Sequence, residues 1–186
     1  MIDRIDSALD MTTAVVENIA AAQLATSSLC PGWDVQTELN HLVGGMNIFA
    51  AELTGADAGK NHEDDWLGAD HHAAFTTAAG LDRAAWHRPD ALDGTVRLGF
   101  GPVPARMAAM IHLTEVLVHG ADLAVVTGQE DRIDQRQCAE LLATMRGLDF
   151  NAFRRPGMFD AERPAPEDAP AHERLLAFLG REIHRP

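Results

Sequence analysis

The chain has 186 residues, of which 31 are alanine and none is tyrosine, and its 28 acidic against 15 basic residues leave a formal net charge of −13. Alanine is the strongest helix former, whereas strands favour β-branched and aromatic residues, so the composition points to an all-α fold and away from a β-sandwich or barrel. The negative charge repels phosphate backbones and anionic lipid, which argues against nucleic acid and membrane surfaces as partners.

In chain order, Ile2, Ile5, Leu9, Val16 and Ile19 recur at helical steps and predict an amphipathic helix over 2–24. Turn residues over 26–32 predict a loop. Trp33-Asp34-Val35 opens a second helix with Asp34 as N-cap, a core stripe of Val35, Leu39, Leu42, Met46, Phe49 and Leu53, and a stop at Gly55. The segment 56–68 is polar and reads as a loop. A third helix over 69–86 ends before Pro89. Alternation over 95–100 after Asp93-Gly94 predicts a short strand or hairpin, near 95–101. A long helix follows over 104–127, and another over 134–153. Residues 154–170 are rich in proline and acid and read as an extended wrap, with a last short helix over 172–181. The expected architecture is one domain, 1–186: a bundle of four long helices, a fifth helical element and a C-terminal wrap.

The helix over 107–126 carries the chemistry. Apolar side chains occupy nearly its whole circumference, apart from a sector about 80° wide that holds His112, Glu115, His119 and Asp122 and no lysine or arginine. One reading is a buried helix whose thin polar edge reaches water. The other is a sector facing the bundle interior, where a carboxylate is costly unless paired or coordinating a metal. Glu115 and His119 stand one turn apart and can converge on one ion, and imidazole with carboxylate suits zinc, nickel or iron. His41, on the second helix beside Gly44-Gly45, is either a satisfied boundary histidine or a third ligand. His112 and Asp122 are candidates for orienting the ligands or moving protons. Asp70-His71-His72 reads as a solvated first turn, and His62 with Glu63-Asp64-Asp65 as a solvated loop. Cys30 has nothing basic beside it in sequence and reads as structural.

The chain resembles the actinobacterial metal-binding proteins related to the N-terminal domain of mycothiol-dependent maleylpyruvate isomerase, in the DinB/YfiT-like superfamily. The matching segments are Cys30-Pro31-Gly32-Trp33-Asp34-Val35, then Asn40-His41-Leu42-Val43-Gly44-Gly45, then Glu115-Val116-Leu117-Val118-His119-Gly120-Ala121-Asp122, and near the end Pro166-Glu167-Asp168-Ala169-Pro170 and the run from Arg174 to Arg181. The resemblance implies a DinB-like four-helix bundle with one divalent metal, commonly zinc, held by His41, Glu115 and His119. It implies a thiol-dependent transferase or isomerase acting on a small-molecule electrophile, with mycothiol as cosubstrate. A metal-dependent hydrolase and a non-catalytic metal or small-molecule binder are the alternatives. The isomerase has a further C-terminal domain, whereas this chain stops at Pro186, so the bundle and the metal are expected to carry over and the maleylpyruvate substrate is not. Superfamily bundles are often dimers, which places a homodimer among the implied assemblies.

Two cysteines, Cys30 and Cys138, are too few for a disulfide framework, and the N-terminus is charged from its third residue, unlike a signal peptide. The expected location is the cytoplasm.

Overall fold

In the computed structural model, which describes residues 1–154 and 159–183, the apolar spacing resolves into six α-helices and one hairpin. They are α1 (Ile2–Val16), α2 (Val35–Thr54), α3 (His71–Trp86), β1 (Thr95–Leu98), β2 (Gly101–Pro104), α4 (Ala105–Val126), α5 (Gln135–Arg146) and α6 (Ala171–Phe178). Helix α1 packs on α3 and α4, and α2 packs on the same two, so α1–α4 form the expected DinB-like bundle. Strands β1 and β2 pair antiparallel with Val96 opposite Val103, and both valines turn inward.

Helix α4 is the core of the bundle. It is long and apolar enough to cross a membrane by length and composition, but 72% of its most apolar window is buried inside the protein. Gly120 lets α1 approach it: a Cβ there would meet Thr12 Oγ1 at 2.1 Å and Met11 Cε at 2.8 Å. The Thr12 hydroxyl donates to the Val116 carbonyl at 3.1 Å, satisfying a buried polar group at the crossing.

Two helix ends fall well short of the sequence expectation. The first helix stops at Val16 rather than near residue 24, and just past its end the Asn18 side-chain Nδ2 donates back to the Ala14 carbonyl. The freed carbonyl of Ile19 then accepts from both His71 Nε2 and His72 Nε2, at 3.1 and 3.0 Å. The two imidazoles expected in a solvated turn are therefore half-buried and tie α3 to the end of α1, while Asp70 caps α3 through the Ala73 amide. Helix α5 stops at Arg146 before Gly147, and Phe150–Phe153 form a separate 3-10 turn.

The wrap over 154–170 is non-helical where it is described; 155–158 lie outside the described residues. It is tied to α6 by Arg163, whose amide donates to the Ala177 carbonyl and whose Nε donates to the Gly180 carbonyl. Gly180 ends the last helix in the left-handed region, φ +88°, and a Cβ there would meet Asp160 Cβ at 2.5 Å. The Arg181 amide then closes back on the Leu176 carbonyl, which turns the Arg181 side chain into the bundle.

Candidate metal centre

The centre lies where α2 and α4 face each other. Asp34 accepts from the Thr37 amide at 2.8 Å and starts α2. The preceding loop folds back on itself, with Ser28 N donating to Trp33 O and Val35 N to Thr26 O. One turn into α2 the helix presents Glu38 and, three residues later, His41. On the facing side α4 presents Glu115 and, one turn later, His119.

His41 Nε2 lies 2.9 Å from Glu115 Oε2, and His119 Nε2 lies 3.4 Å from the same oxygen. The three donor atoms fall within 4.8 Å of one another. Two ligands on one tetrahedral ion at about 2.0–2.1 Å stand roughly 3.3 Å apart, so this set of two nitrogens and one oxygen is of the right size and chemistry for a divalent cation. His41 and Glu115 are half-buried, which leaves one side of the centre open. The indole of Trp33 covers both histidines, stacked on the His119 ring at 5.9 Å and tilted against His41 at 5.0 Å.

Behind the centre lies a second, fully buried group. Glu38 Oε1 is 2.7 Å from His119 Nδ1. Cys30 Sγ is 3.8 Å from that nitrogen, and Asp122 Oδ2 is 3.7 Å from it. Arg181 Nε donates to Asp122 Oδ2 at 3.1 Å.

Electrostatics follow from these contacts. Burial alone would raise the Glu115 pKa, but its hydrogen bonds with His119 and His41 outweigh burial and hold the carboxyl far below its ordinary range. Burial would lower His119, yet Cys30, Glu115 and Glu38 together hold it well above 6.5. Burial pushes His41 down, against the pull of Glu115, so its ring is neutral at pH 7. Burial, followed by the Glu38 carboxylate, pushes Asp122 up to about 7, with Arg181 opposing. Burial also raises the Cys30 thiol, and its contact with His119 opposes this.

Residues 5–124 match the family described as the mycothiol maleylpyruvate isomerase N-terminal domain. The chain belongs to that family. It is 33% identical to Rv0738, an uncharacterized protein of Mycobacterium tuberculosis, over 95% of this chain and 94% of the relative, and equally to the protein MT0763 from another strain. A crystal structure of the mycothiol-dependent maleylpyruvate isomerase shares the fold, with TM-score 0.50 and 18% identity over 75% of this chain and 68% of the solved one. A mutant of the same isomerase gives TM-score 0.51 and 19% identity at the same coverage.

Within this family chain, the sequence-derived residues divide. His41, Glu115 and His119 come together. Asp122 stands beside them, behind His119. His112 does not: its Nε2 is 2.7 Å from Asp82 Oδ2 on α3, and the rings of Phe49 and Trp86 cover it. A narrow helical sector nearly three turns long meets different neighbours along its length, so its N-terminal end serves the core and its C-terminal part the centre.

His62 also departs from the solvated loop expected of it. Its ring packs edge-on against His41 at 4.6 Å, and its Nε2 lies 3.2 Å from the His41 carbonyl oxygen. The loop is pinned by Asn40, which donates to Asp64 O and accepts from Trp66 N. Gly44 admits it: a Cβ there would meet Trp66 Cδ1 and Nε1 at 2.8 Å. Glu63, Asp64 and Asp65 are exposed, as expected of the acidic run.

Sequence reasoning missed Glu38, Trp33 and Arg181. Glu38 had a signal: it sits three residues after Val35 and four before Leu42, inside the apolar stripe of α2. Arg181 had none, because its place depends on the turn at Gly180.

Proposed function

We propose that the protein is a divalent-metal enzyme that uses a thiol, an isomerase or transferase acting on a small electrophile, with His41, Glu115 and His119 as the metal ligands. The observation that supports this best is the convergence of both imidazole Nε2 atoms on one Glu115 oxygen, at 2.9 and 3.4 Å. Three protein ligands with one side open are the pattern of catalytic rather than structural sites. Zinc is the proposed metal, with nickel or iron also suited to imidazole and carboxylate. Mycothiol, which the family's name carries, is the proposed thiol.

When bound, the ion supplies Lewis acidity that lowers the pKa of a coordinated thiol and makes thiolate available at neutral pH. The chain's own residues do the rest. Glu115 stays ionised and can ligate directly, and His41 is uncharged, so it loses no net proton: the hydrogen that its Nε2 turns to Glu115 moves to Nδ1 when the ion enters. Trp33 holds the two rings in place and keeps water off one side of them.

Protein purified without added metal is expected to carry zinc and to turn over a small electrophile only when thiol is present. Turnover that is equal with and without thiol would replace this reading with a hydrolase; absence of metal would remove it.

A pH dependence follows from His119. Its pKa in the metal-free fold lies well above 6.5, so near pH 7 the ring carries a proton that the ion must displace. Metal affinity should therefore fall as pH drops below that raised pKa and level off above it. Calorimetry at pH 7 in buffers of different ionisation enthalpy is expected to show about one proton released per ion. No proton release would contradict this.

A further inference from the structure

Once Nε2 of His119 faces Glu115, its Nδ1 faces the opposite way, into a buried group that the metal reading leaves without a role. Of the three acceptors there, Cys30 Sγ and Asp122 Oδ2 stand 3.8 and 3.7 Å away, and Asp122 is turned to Arg181. Glu38 makes the short contact, 2.7 Å, and is fully buried; the Cys30 sulfur is a longer and weaker hydrogen-bond partner of the same nitrogen.

We propose that Glu38 is the positioning residue for His119: its carboxylate accepts the Nδ1 proton, and this leaves the Nε2 lone pair aimed at the metal. The proposal rests on the metal reading above. An ionised carboxylate can only accept, so the nitrogen facing it must carry the hydrogen. In a neutral imidazole the other nitrogen is then bare, which is the form that ligates. The carboxylate is itself fixed, because Ser28 Oγ donates to Glu38 Oε2 at 2.5 Å and accepts from the Cys30 amide at 3.0 Å. The loop before α2 thus aims Ser28, Ser28 aims Glu38, and Glu38 aims His119. Stacking of Trp33 on the His119 ring at 19° opposes rotation out of that line. Helix α2 serves the centre twice, through His41 as a ligand and through Glu38, three residues earlier on the same face, as the group that orients the ligand from α4.

The test is zinc titration against a competing chelator, with long-range proton–nitrogen NMR of the His119 ring, on the wild type, Glu38→Gln and Ser28→Ala. The wild type is expected to bind one equivalent with Nδ1 protonated. Glu38→Gln should bind one equivalent about 10–100-fold more weakly, with the His119 nitrogen shifts moved. Ser28→Ala, at a half-buried site, should fold normally and lose less affinity. A merely structural Glu38 would change the unfolding temperature and leave zinc affinity and the His119 shifts alone; that result overturns the proposal. So does a second zinc equivalent in the wild type that Glu38→Gln loses, since Glu38 would then be a ligand. If the wild type binds no zinc, the metal reading falls separately. The tautomer of His119 in metal-free protein, at a pH where the ring is neutral, then decides the role of Glu38: Nδ1–H supports it and Nε2–H overturns it.

Discussion

Replacing His119 with alanine is expected to abolish zinc binding at the centre. It removes one of three ligands and the group that Glu38, Cys30 and Asp122 surround, so the loss of affinity should exceed the roughly 10–100-fold typical of removing an outer hydrogen-bond partner. Purified wild type and His119→Ala compared by metal analysis give the readout, and equal metal content in both would reject the ligand assignment. The substitution also leaves two buried carboxylates, Glu38 and Asp122, facing a void with Arg181 beside only one of them, so the variant protein should be less stable as well. His41→Ala separates the two effects. His41 is half-buried at the open side of the centre, and its loss should empty the site while the bundle stays folded.

The largest effect on stability is expected at the other end of the same helix. Asp82 and His112 are both buried, 2.7 Å apart, within the bundle core. Asp82→Ala leaves the His112 Nε2 without its acceptor in a place water does not reach, and breaking one side of a buried pair costs about 3–5 kcal/mol. For a chain of this size that is a fall in unfolding temperature on the order of 10 °C. The double variant Asp82→Leu with His112→Phe should recover part of the loss, because apolar groups of similar volume need no partner. Chemical denaturation of the three proteins checks this, and a loss below about 1 kcal/mol for Asp82→Ala would show that the pair contributes little. Zinc affinity of the folded variants should be unchanged, since the His112 partner is on α3 and not among the ligands. A parallel loss of metal would restore the orienting role that the helical spacing gave to His112.

The two experiments divide the polar sector of α4 as the structure does. Spacing alone places His112, Glu115, His119 and Asp122 on one face, because that depends only on the pitch of one helix. Which of them meet the same neighbour depends on where α2, α3 and α6 cross. Glu115 meets α2, His112 meets α3, and Asp122 meets Arg181, which follows α6. His41 was readable as a candidate, and the family resemblance singled it out. Its neighbour Glu38 was readable as an acid misplaced in an apolar stripe, but nothing local said that His119 would stand opposite it. His62 is the reverse case: its loop is polar in composition, but Asn40 holds it by hydrogen bonds and Gly44 leaves room for it over α2.

The sequence by itself determined the helical class, the order of the bundle helices, the hairpin, and the pairing of Glu115 with His119, because each depends on contacts a few residues apart along one chain segment. The tertiary structure alone decided the early end of α1, the burial of Cys30 beside His119, the Glu38 to His119 contact and the arrival of Arg181 at Asp122. Those link residues 59 to 89 positions apart, or depend on a carbonyl freed for a distant partner, and no local periodicity records where two helices will cross.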